Sequence, residues 1–150
     1  MDFDIALLHL SEAVTYSDAV NPICLPKAAR NFPAGKRCFV TGWGQIRELG
    51  PVSDRLRVAQ VPIIENGKCA QMYPDRRITS RMLCAGYVQG RIDSCQGDSG
   101  GPLACLENGT FLLAGAVSWG NGCAKRRQPG VYANIDSFLP WIDWCMRHGL

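Results

Sequence analysis

Eight cysteines limit what this 150-residue chain can fold into more than any other feature. None of them is spaced as Cys-x-x-Cys, and the two histidines are not placed to complete a zinc site, so we expect no metal centre. The cysteines are Cys24, Cys38, Cys69, Cys84, Cys95, Cys105, Cys123 and Cys145. An even, dispersed set of this kind is typical of disulfides, which form in oxidising compartments. The sequence therefore predicts a secreted or extracellular protein.

The composition indicates a globular chain with its own core. Hydrophobic residues make up 47% and charged residues 19%, and the net charge of +3 is scattered, so we expect no nucleic-acid partner. The longest apolar runs, such as Phe111–Val117, are too short to cross a bilayer, and no charged-then-apolar leader follows Met1, so the chain as given has no signal peptide. Because an extracellular protein needs such a leader, we expect an N-terminal part of the protein to lie outside this sequence.

Most of the chain is typical of short β-strands separated by turns. The candidate strands are rich in Val, Ile and aromatic residues and are bounded by Gly, Pro, Asn or Asp, which indicates an antiparallel barrel or sandwich. They read RCFVTGWG, LRVAQVPII, MLCAGYV, PLACL, FLLAGAVSWG and GVYANI, and a strand-like apolar stretch, IALLHL, lies near the start. The stretch AVNPICLPKAARNFPAG contains three prolines and a glycine and predicts an extended connector.

The last segment, residues 137–150, predicts an α-helix. Its apolar residues recur at helical spacing on one face, namely Phe138, Trp141, Ile142 and Cys145. Ser137 is a suitable N-cap, and Pro140 is tolerated in a first turn. The sequence therefore predicts strands followed by one terminal helix.

Ser99, held between glycines in Gly-Asp-Ser-Gly-Gly, is the candidate nucleophile. A serine hydroxyl needs a base to remove its proton and N–H donors to bind the oxyanion that forms. The letters also match the Gly-x-Ser-x-Gly elbow of α/β-hydrolases, with Asp143 and His148 in the chain order of that family. That elbow leads into a helix, whereas Ser99 is followed by Pro102 and a strand-like run, which argues against it. A plain tight turn is the remaining alternative.

The residues around Ser99 resemble the trypsin-like serine proteases of the chymotrypsin fold. DSCQGDSGGPL resembles their nucleophile loop, VSWGNGC and PGVYANI resemble their pocket segments, and DIALL resembles the stretch that carries the triad aspartate. FVTGWG and NPICLP resemble their barrel-entry and interdomain segments, so the resemblance covers essentially the whole chain. It implies an all-β antiparallel double β-barrel with an incomplete first barrel (1–20), a connector (21–35), a complete second barrel (36–136) and a C-terminal α-helix (137–150).

The resemblance implies a role for each matched residue of the catalytic centre. Ser99 would be the nucleophile of a Ser-His-Asp triad, and Asp4 would orient the imidazole. The N–H groups of Gly97 and Ser99 would bind the oxyanion. Asp98 would pair with the N-terminal ammonium that forms when a zymogen is cut. Without the resemblance, Asp4 would be an ordinary strand-end aspartate and Asp98 an ordinary loop carboxylate.

The resemblance also implies a pocket that selects Arg or Lys. Asp93 lies six residues before Ser99, where the family places the base of its pocket, and a carboxylate there attracts a long cation. The other implied pocket residues are Ser94, Ser118, Trp119, Gly120 and Gly130. The implied function is a serine endopeptidase that hydrolyses peptide bonds after Arg or Lys without a cofactor. Its implied partners are protein or peptide substrates with Arg or Lys at the cleaved bond, and protease inhibitors.

The resemblance pairs six of the eight cysteines. The implied disulfides are Cys38–Cys105, Cys69–Cys84 and Cys95–Cys123. Cys145 departs from the family pattern and is either a buried thiol on the helix or the partner of Cys24. Family members with a stem or propeptide tether it through a cysteine placed like Cys24, so attachment of this chain to a membrane through such a stem stays open.

Asn108 is a candidate glycosylation site. It begins Asn-Gly-Thr, an N-glycosylation acceptor, and lies in an apparent hairpin turn. Such triplets are common by chance, and Asn108 can be glycosylated only if the chain is secreted.

Neither histidine matches the base that Ser99 requires. The family's catalytic histidine precedes the triad aspartate in the chain, whereas His9 follows Asp4 and His148 ends the terminal helix. We therefore expect residues 1–150 to be the C-terminal part of a protease domain whose missing N-terminal half carries the histidine and the activating N-terminus. One alternative is a catalytically inactive protease-like form that acts as a binding module. The other is an unrelated disulfide-rich secreted binding module.

Overall fold

The computed structural model describes residues 1–27 and 31–149, and six strands of it form one closed antiparallel barrel. The strands are β1 (Arg37–Gly42), β2 (Arg57–Ile64), β3 (Met82–Ala85), β4 (Pro102–Glu107), β5 (Thr110–Trp119) and β6 (Gly130–Asn134). Their order around the barrel is β1-β2-β3-β6-β5-β4, and β4 pairs back to β1 through Phe39 with Ala104 and Val40 with Leu103. The predicted all-β class, with a chymotrypsin-like barrel followed by a helix, is confirmed.

The barrel interior is filled by alternate side chains of its strands. In β1, Cys38 and Val40 are buried while Arg37 is exposed. The largest side chains with almost no exposure include Tyr132 of β6 and Leu103 of β4, which share one core cluster. In β1 this period-two alternation places one face of the strand in the core, whereas all of β3 and four of the five residues of β6 are buried.

The first 20 residues contribute no strand to the barrel. Within them the structure has only an isolated bridge between Ser17 and Val20, so the strand-like expectation for IALLHL is wrong. A strand needs a neighbour to form its hydrogen-bond ladder. Instead, Ile5 and Leu7 pack against the cluster around Phe138.

The segment that carries Asp4 is nevertheless attached to the barrel. The Arg81 guanidinium donates to the Asp2 carboxylate, and this hydrogen bond lowers the pKa of Asp2 to about 2. The Thr79 hydroxyl donates to the same carboxylate. The Arg81 guanidinium also lies 4.1 Å from the centre of the Phe3 ring. These contacts fix Asp2 and Phe3, the two residues that precede Asp4.

The predicted connector, residues 21–35, runs beside the barrel where it is described. Cys24 forms an isolated parallel bridge with Leu112 of β5, and its carbonyl accepts from the Leu113 N–H. Phe32 enters the barrel core. Residues 28–30 of the connector lie outside the described residues, as does Leu150 of the predicted helix.

A short helix, α1 (Asn66–Met72), was not predicted. Its N-cap is Glu65, whose carboxylate accepts from the N–H groups of Gly67 and Lys68. Cys69 is the buried residue of this helix, and its disulfide to Cys84 ties the helix to β3. Tertiary contacts therefore maintain a seven-residue helix that would not be stable alone.

The terminal helix, α2 (Ile135–His148), begins two residues before its predicted start. Asn134 occupies the N-cap position, so the expectation that Ser137 caps the helix is wrong. Ser137 lies in the first turn, where its hydroxyl donates to the Ser80 carbonyl. Pro140 consequently falls inside the helix rather than in its first turn. Within the described residues no helix is both long and apolar enough to cross a membrane.

The three disulfides implied by the family resemblance are confirmed, and the fourth pairing is wrong. The bonds are Cys38–Cys105, Cys69–Cys84 and Cys95–Cys123. Cys24 and Cys145 are free thiols, the first exposed and the second buried. They occupy different surroundings, because Cys24 is bridged to β5 while Cys145 lines a cavity with Leu7 and His9.

We expect the Cys38–Cys105 bond to contribute more stability than Cys69–Cys84. The two bonds span 67 and 15 residues, and the longer closed loop restricts the unfolded chain more. Replacing Cys38 and Cys105 together with Ala should lower the free energy of unfolding by about 4 kcal/mol, against about 3 kcal/mol for the other pair. Urea unfolding of both double variants measures the order, and a larger loss at Cys69–Cys84 would contradict it.

Candidate active site

A cleft of about 160 Å³ brings together the residues that the sequence assigns to a peptide-binding pocket. The six implied pocket residues and Ser99 line it, whereas Gly97 does not: Asp93, Ser94, Ser99, Ser118, Trp119, Gly120 and Gly130. Five further residues line it that the sequence did not assign individually to the pocket, although all but Gln96 lie in the implied pocket segments or in the implied Cys95–Cys123 bond: Cys95, Gln96, Val117, Gly122 and Cys123. The Cys95–Cys123 disulfide joins the loop before β4 to the loop after β5, and this bond holds two sides of the cleft together.

Asp93 supplies a half-buried carboxylate to this cleft. Its oxygens accept from the backbone N–H groups of Ser94, at 2.9 Å, and Ala124, at 3.1 Å. Burial is the main cause that raises the pKa of Asp93 to about 6, and these backbone hydrogen bonds oppose it. A carboxylate whose ionised form is penalised by burial gains from a cationic ligand, so this end of the cleft is suited to a positive charge.

Gly130 keeps the space above Asp93 open. A Cβ atom at this position would lie 2.7 Å from Asp93 Oδ1 and 3.2 Å from the Tyr132 ring. At Gly120 the nearest atom to such a Cβ would be the Gly122 carbonyl oxygen at 3.4 Å. A side chain is therefore excluded at Gly130 by the pocket itself, whereas at Gly120 it would occupy the open side of the cleft.

Ser99 lies exposed on a loop that leads into β4. Within the described residues its hydroxyl has no hydrogen-bond partner, and neither its own N–H nor the Gly97 N–H is bonded. Gly97 has a φ of +94°, and a Cβ there would lie 3.2 Å from the Gly44 Cα atom. Glycine therefore permits the backbone conformation of the loop that carries both unbonded N–H donors.

The strand that follows Ser99 excludes the α/β-hydrolase alternative. The Gly-x-Ser-x-Gly sequence continues into β4 instead of a helix. Asp143, the proposed acid of that alternative, instead forms an ion pair with Arg147 on α2.

A bulge in β5 connects Asp4 to the cleft. The register against β6 shifts between Val117 and Trp119, which makes Ser118 the extra residue of the strand. The Ser118 hydroxyl donates to Asp4 Oδ2 at 2.6 Å. Asp4 is therefore held beside a residue that lines the Ser99 cleft, although 114 residues separate it from Ser118 in the chain.

Asp98 points away from the cleft toward the end of β1. Its two carboxylate oxygens accept from the Gly44 N–H at 2.7 Å and the Cys95 N–H at 2.9 Å. A Cβ atom at Gly42 or Gly44 would overlap this carboxylate, so both glycines are required for its position. Asp98 thereby links the Ser99 loop to the segment after β1.

The two histidines contact other parts of the molecule. His9 lines a cavity with Cys145 near the end of α2. The Nδ1 atom of His148 lies 2.8 Å from the Trp144 carbonyl oxygen, and its ring stacks on the Trp144 ring. Neither histidine forms a hydrogen bond with Ser99 in the described part of the chain.

Trp119 is positioned by a residue that the sequence interpretation missed. Tyr73, directly after α1, packs edge to face against Trp119 with ring centres 5.0 Å apart. The Tyr73 hydroxyl donates to the Pro129 carbonyl at 2.6 Å, and burial raises its pKa to about 12. The sequence shows an aromatic residue, Tyr73, shortly after Cys69, but it does not reveal that Tyr73 contacts Trp119.

The closed antiparallel barrel presents the exposed Ser99, the unbonded N–H groups of Gly97 and Ser99, and the Asp93 carboxylate in the same cleft as Ser99. This arrangement is that of the chymotrypsin-fold class. The family model described as Trypsin matches residues 1–142. The chain therefore belongs to the trypsin family of serine proteases.

Two relatives are close in sequence. The chain is 50% identical over 144 residues to "Transmembrane protease serine 9" of Rattus norvegicus, covering 95% of this chain and 14% of the relative. It is 48% identical over 143 residues to "Transmembrane protease serine 5" of Homo sapiens, covering 94% of this chain and 31% of the relative. The chain thus spans less than a third of each of these relatives.

Proposed function

We propose that this chain forms part of a serine endopeptidase that hydrolyses peptide bonds after Arg or Lys. The observation that carries the proposal is Asp93, a half-buried carboxylate in the same cleft as the exposed Ser99. The raised pKa of Asp93, about 6, favours a ligand that replaces the lost hydration with positive charge. Gly130 leaves the space that a long side chain needs to reach it.

Each of the other site residues has a defined part in this reaction. The Ser99 hydroxyl attacks the carbonyl carbon of the residue whose side chain reaches Asp93, and the imidazole of the triad takes its proton and passes it to the amine that leaves as the peptide bond breaks; water then releases the acyl group from Ser99. The unbonded N–H groups of Gly97 and Ser99 donate to the oxyanion that develops on that carbonyl. Asp4, oriented by Ser118, binds the imidazole and stabilises the imidazolium form.

The imidazole is the part of the triad that residues 1–150 do not bring to Ser99. We propose that a histidine outside these residues supplies it, in an N-terminal half of the domain that completes the first barrel, with residues 1–20 as its end. The exposed row of Leu8, Leu10, Val14 and Tyr16 supports this domain organisation, since these apolar side chains would be covered by such a half. In this proposal Asp98 exchanges its amide partners for the new N-terminal ammonium when the zymogen is cut.

The same apolar row favours one alternative function. If no such half is present, residues 1–150 would be a catalytically inactive binding module whose partner covers Leu8 to Tyr16. The two possibilities share the Asp93 cleft and differ in whether Ser99 is ever activated.

The proposed location is extracellular, either secreted or anchored to a membrane through a stem. Three disulfides support an oxidising compartment, and both relatives are named transmembrane proteases. Asn108 occupies a two-residue hairpin turn with Gly109 and is exposed, so its acceptor triplet is accessible for glycosylation. Proteins or peptides with Arg or Lys, and inhibitors that present such a residue, are the proposed partners.

An amidinium ligand tests the cation site on residues 1–150 directly. Because the pKa of Asp93 is about 6, its carboxylate is ionised at pH 7.5 and mostly protonated at pH 5. Benzamidine should therefore bind about tenfold more weakly at pH 5 than at pH 7.5, as measured by calorimetric titration. The Asp93→Asn variant should bind weakly at both pH values. Tight binding to this variant, or pH-independent binding to the parent chain, would contradict the assignment of Asp93.

A further inference from the structure

A second cleft, of about 720 Å³, adjoins the Ser99 cleft at Trp119. It lies between Met1–Asp2 and residues 76–81 of the loop that connects α1 to β3, together with Met82 at the start of β3. Trp119 lines both clefts, so a peptide anchored at Asp93 could continue from one into the other. We call this second space the arginine cleft.

Two side chains of the arginine cleft carry uncompensated positive charges, and Met1, whose α-ammonium is a further cation of residues 1–150, also lines it. Of its three arginines, Arg81 is neutralised by the Asp2 carboxylate. Arg76 and Arg77 are exposed, and neither forms an ion pair among the described residues. Asp75 is the one acidic residue between positions 72 and 82, and it does not line the cleft.

Arg76 places its charge at the junction of the two clefts. Its guanidinium lies 4.8 Å from the centre of the Trp119 ring, a cation–π geometry that limits where the charge can move. Trp119 is in turn held by Tyr73. The positive charge is therefore part of a packed arrangement and lies beside the path that leads out of the Asp93 cleft.

We propose that the arginine cleft selects acidic side chains two to four residues before the Arg or Lys that occupies the Asp93 cleft. This inference rests on the proposed function, because that Arg or Lys anchors the peptide. A substrate carboxylate would pair with Arg76 or Arg77. The Asp93 end of the site would then bind a positively charged side chain, and the Arg76 end would bind a negatively charged one. Arg76 and Arg77 are thereby specificity-determining residues for the proposed reaction.

A peptide fits this charge better than a longer polyanion does. Nucleic acids and sulfated polysaccharides are bound by extended basic surfaces, whereas the uncompensated side-chain cations that line this cleft are Arg76 and Arg77. The chain's net charge of +3 is scattered along its length. Two cations beside a cation-binding cleft match a short segment in which acidic residues precede one basic residue.

Binding of blocked peptides to residues 1–150 tests the inference without requiring catalysis. The peptides are acetyl-Glu-Glu-Gly-Arg-amide and its counterparts with Gln-Gln or Lys-Lys in place of Glu-Glu, measured by calorimetric titration. At low salt the Glu peptide should bind about three- to tenfold more tightly than the Gln peptide, as expected for one or two exposed ion pairs. The Lys peptide should bind most weakly, and added salt at about 0.5 M should bring the three affinities together.

Charge reversal identifies the residues responsible. The double substitution Arg76→Glu with Arg77→Glu should reverse the order, so that the Lys peptide binds most tightly. The matched control is Arg147→Glu, which should leave the order unchanged. Arg147 is exposed and lies in the last turn of α2, about 18 Å along the helix from Ile135. Circular dichroism establishes that each variant keeps its fold. If the double variant unfolds, the substitutions Arg76→Gln and Arg77→Gln replace it and should abolish the preference for Glu over Gln.

The outcomes separate this inference from the proposed function. Equal affinities for the Glu and Gln peptides, absence of binding by every peptide, or the same reversal in Arg147→Glu would overturn the arginine cleft. The proposed function is tested at the Arg end of the peptide. Binding is measured after the Arg is replaced with norleucine, and separately with the Asp93→Ser variant. If Glu selectivity persists while neither of those changes affects affinity, the cleft is real and the proposed pocket is wrong.

Discussion

Replacing Asp93 with Ser should abolish the preference for Arg and Lys in a full trypsin-family domain that contains residues 1–150. The substrate cation would then enter a pocket without Asp93, the one carboxylate among the described residues that line it, while it still loses its hydration. Leaving a buried charge unpaired costs about 3–5 kcal/mol, which corresponds to a loss of about a hundred- to several-thousand-fold in kcat/KM for Arg substrates. Matched peptides with Arg, Lys, Phe or Ala before the cleaved bond measure the effect.

The matched control is Asp54→Ser, which removes one exposed carboxylate outside the cleft. It should leave the order of the four peptides unchanged. Turnover of the Phe and Ala peptides should change little in Asp93→Ser, because these substrates bring no charge to the pocket. If the parent domain prefers Phe, or if Asp54→Ser changes the preference as much as Asp93→Ser does, the assignment of Asp93 is wrong.

The barrel was predictable because its strands carry their pattern locally. The strand segments are short, rich in Val, Ile and aromatic residues, and bounded by Gly, Pro, Asn or Asp, and these signals can be seen in the sequence without knowing the partner strands. The cleft residues were predictable for another reason. The segments around Asp93, Ser99, Ser118 and Gly130 resemble family motifs, and composition or periodicity would not have identified them.

Features that depend on distant contacts were not predictable from local sequence. Helix α1 is too short to form by its own propensity, and its disulfide from Cys69 to Cys84 together with Tyr73 supports it. The hydrogen bond between Ser118 and Asp4 requires both the β5 bulge and the attachment of Asp2 to Arg81. IALLHL has a strand-like composition, but the described residues offer it no neighbouring strand.

The N-terminal segment shows how a partial site is maintained. Asp4 itself is exposed, yet its neighbours on the N-terminal side are bonded to the loop before β3, and Ser118 orients its carboxylate. The carboxylate of the proposed triad is thus positioned by the six-stranded barrel and its loops. The remaining part of the triad, a base within reach of the Ser99 hydroxyl, is the one that these residues do not supply.

Residues 1–150 alone should therefore show no hydrolysis of an arginine ester that depends on Ser99. The Ser99 hydroxyl has no hydrogen-bond partner in the described part of the chain, so no side chain there is placed to remove its proton. In a full domain that supplies the histidine, Ser99→Ala should lower kcat on the order of a million-fold, since triad members act as one unit. In residues 1–150 the same substitution should change the rate little, because the group it disables is already inactive.

The comparison of these two effects tests the division of the triad between the two parts of the domain. The ester rate is measured for residues 1–150 and for the full domain, each with Ser99 and with Ala at that position, after oxidative folding to form the three disulfides. A Ser99-dependent rate in residues 1–150 would contradict the proposal, and His9→Ala would then test whether His9 moves from its cavity beside Cys145 to act as the base. A large effect confined to the full domain would support the proposal that this barrel carries Asp4, Ser99 and the oxyanion donors and that the N-terminal half supplies the base.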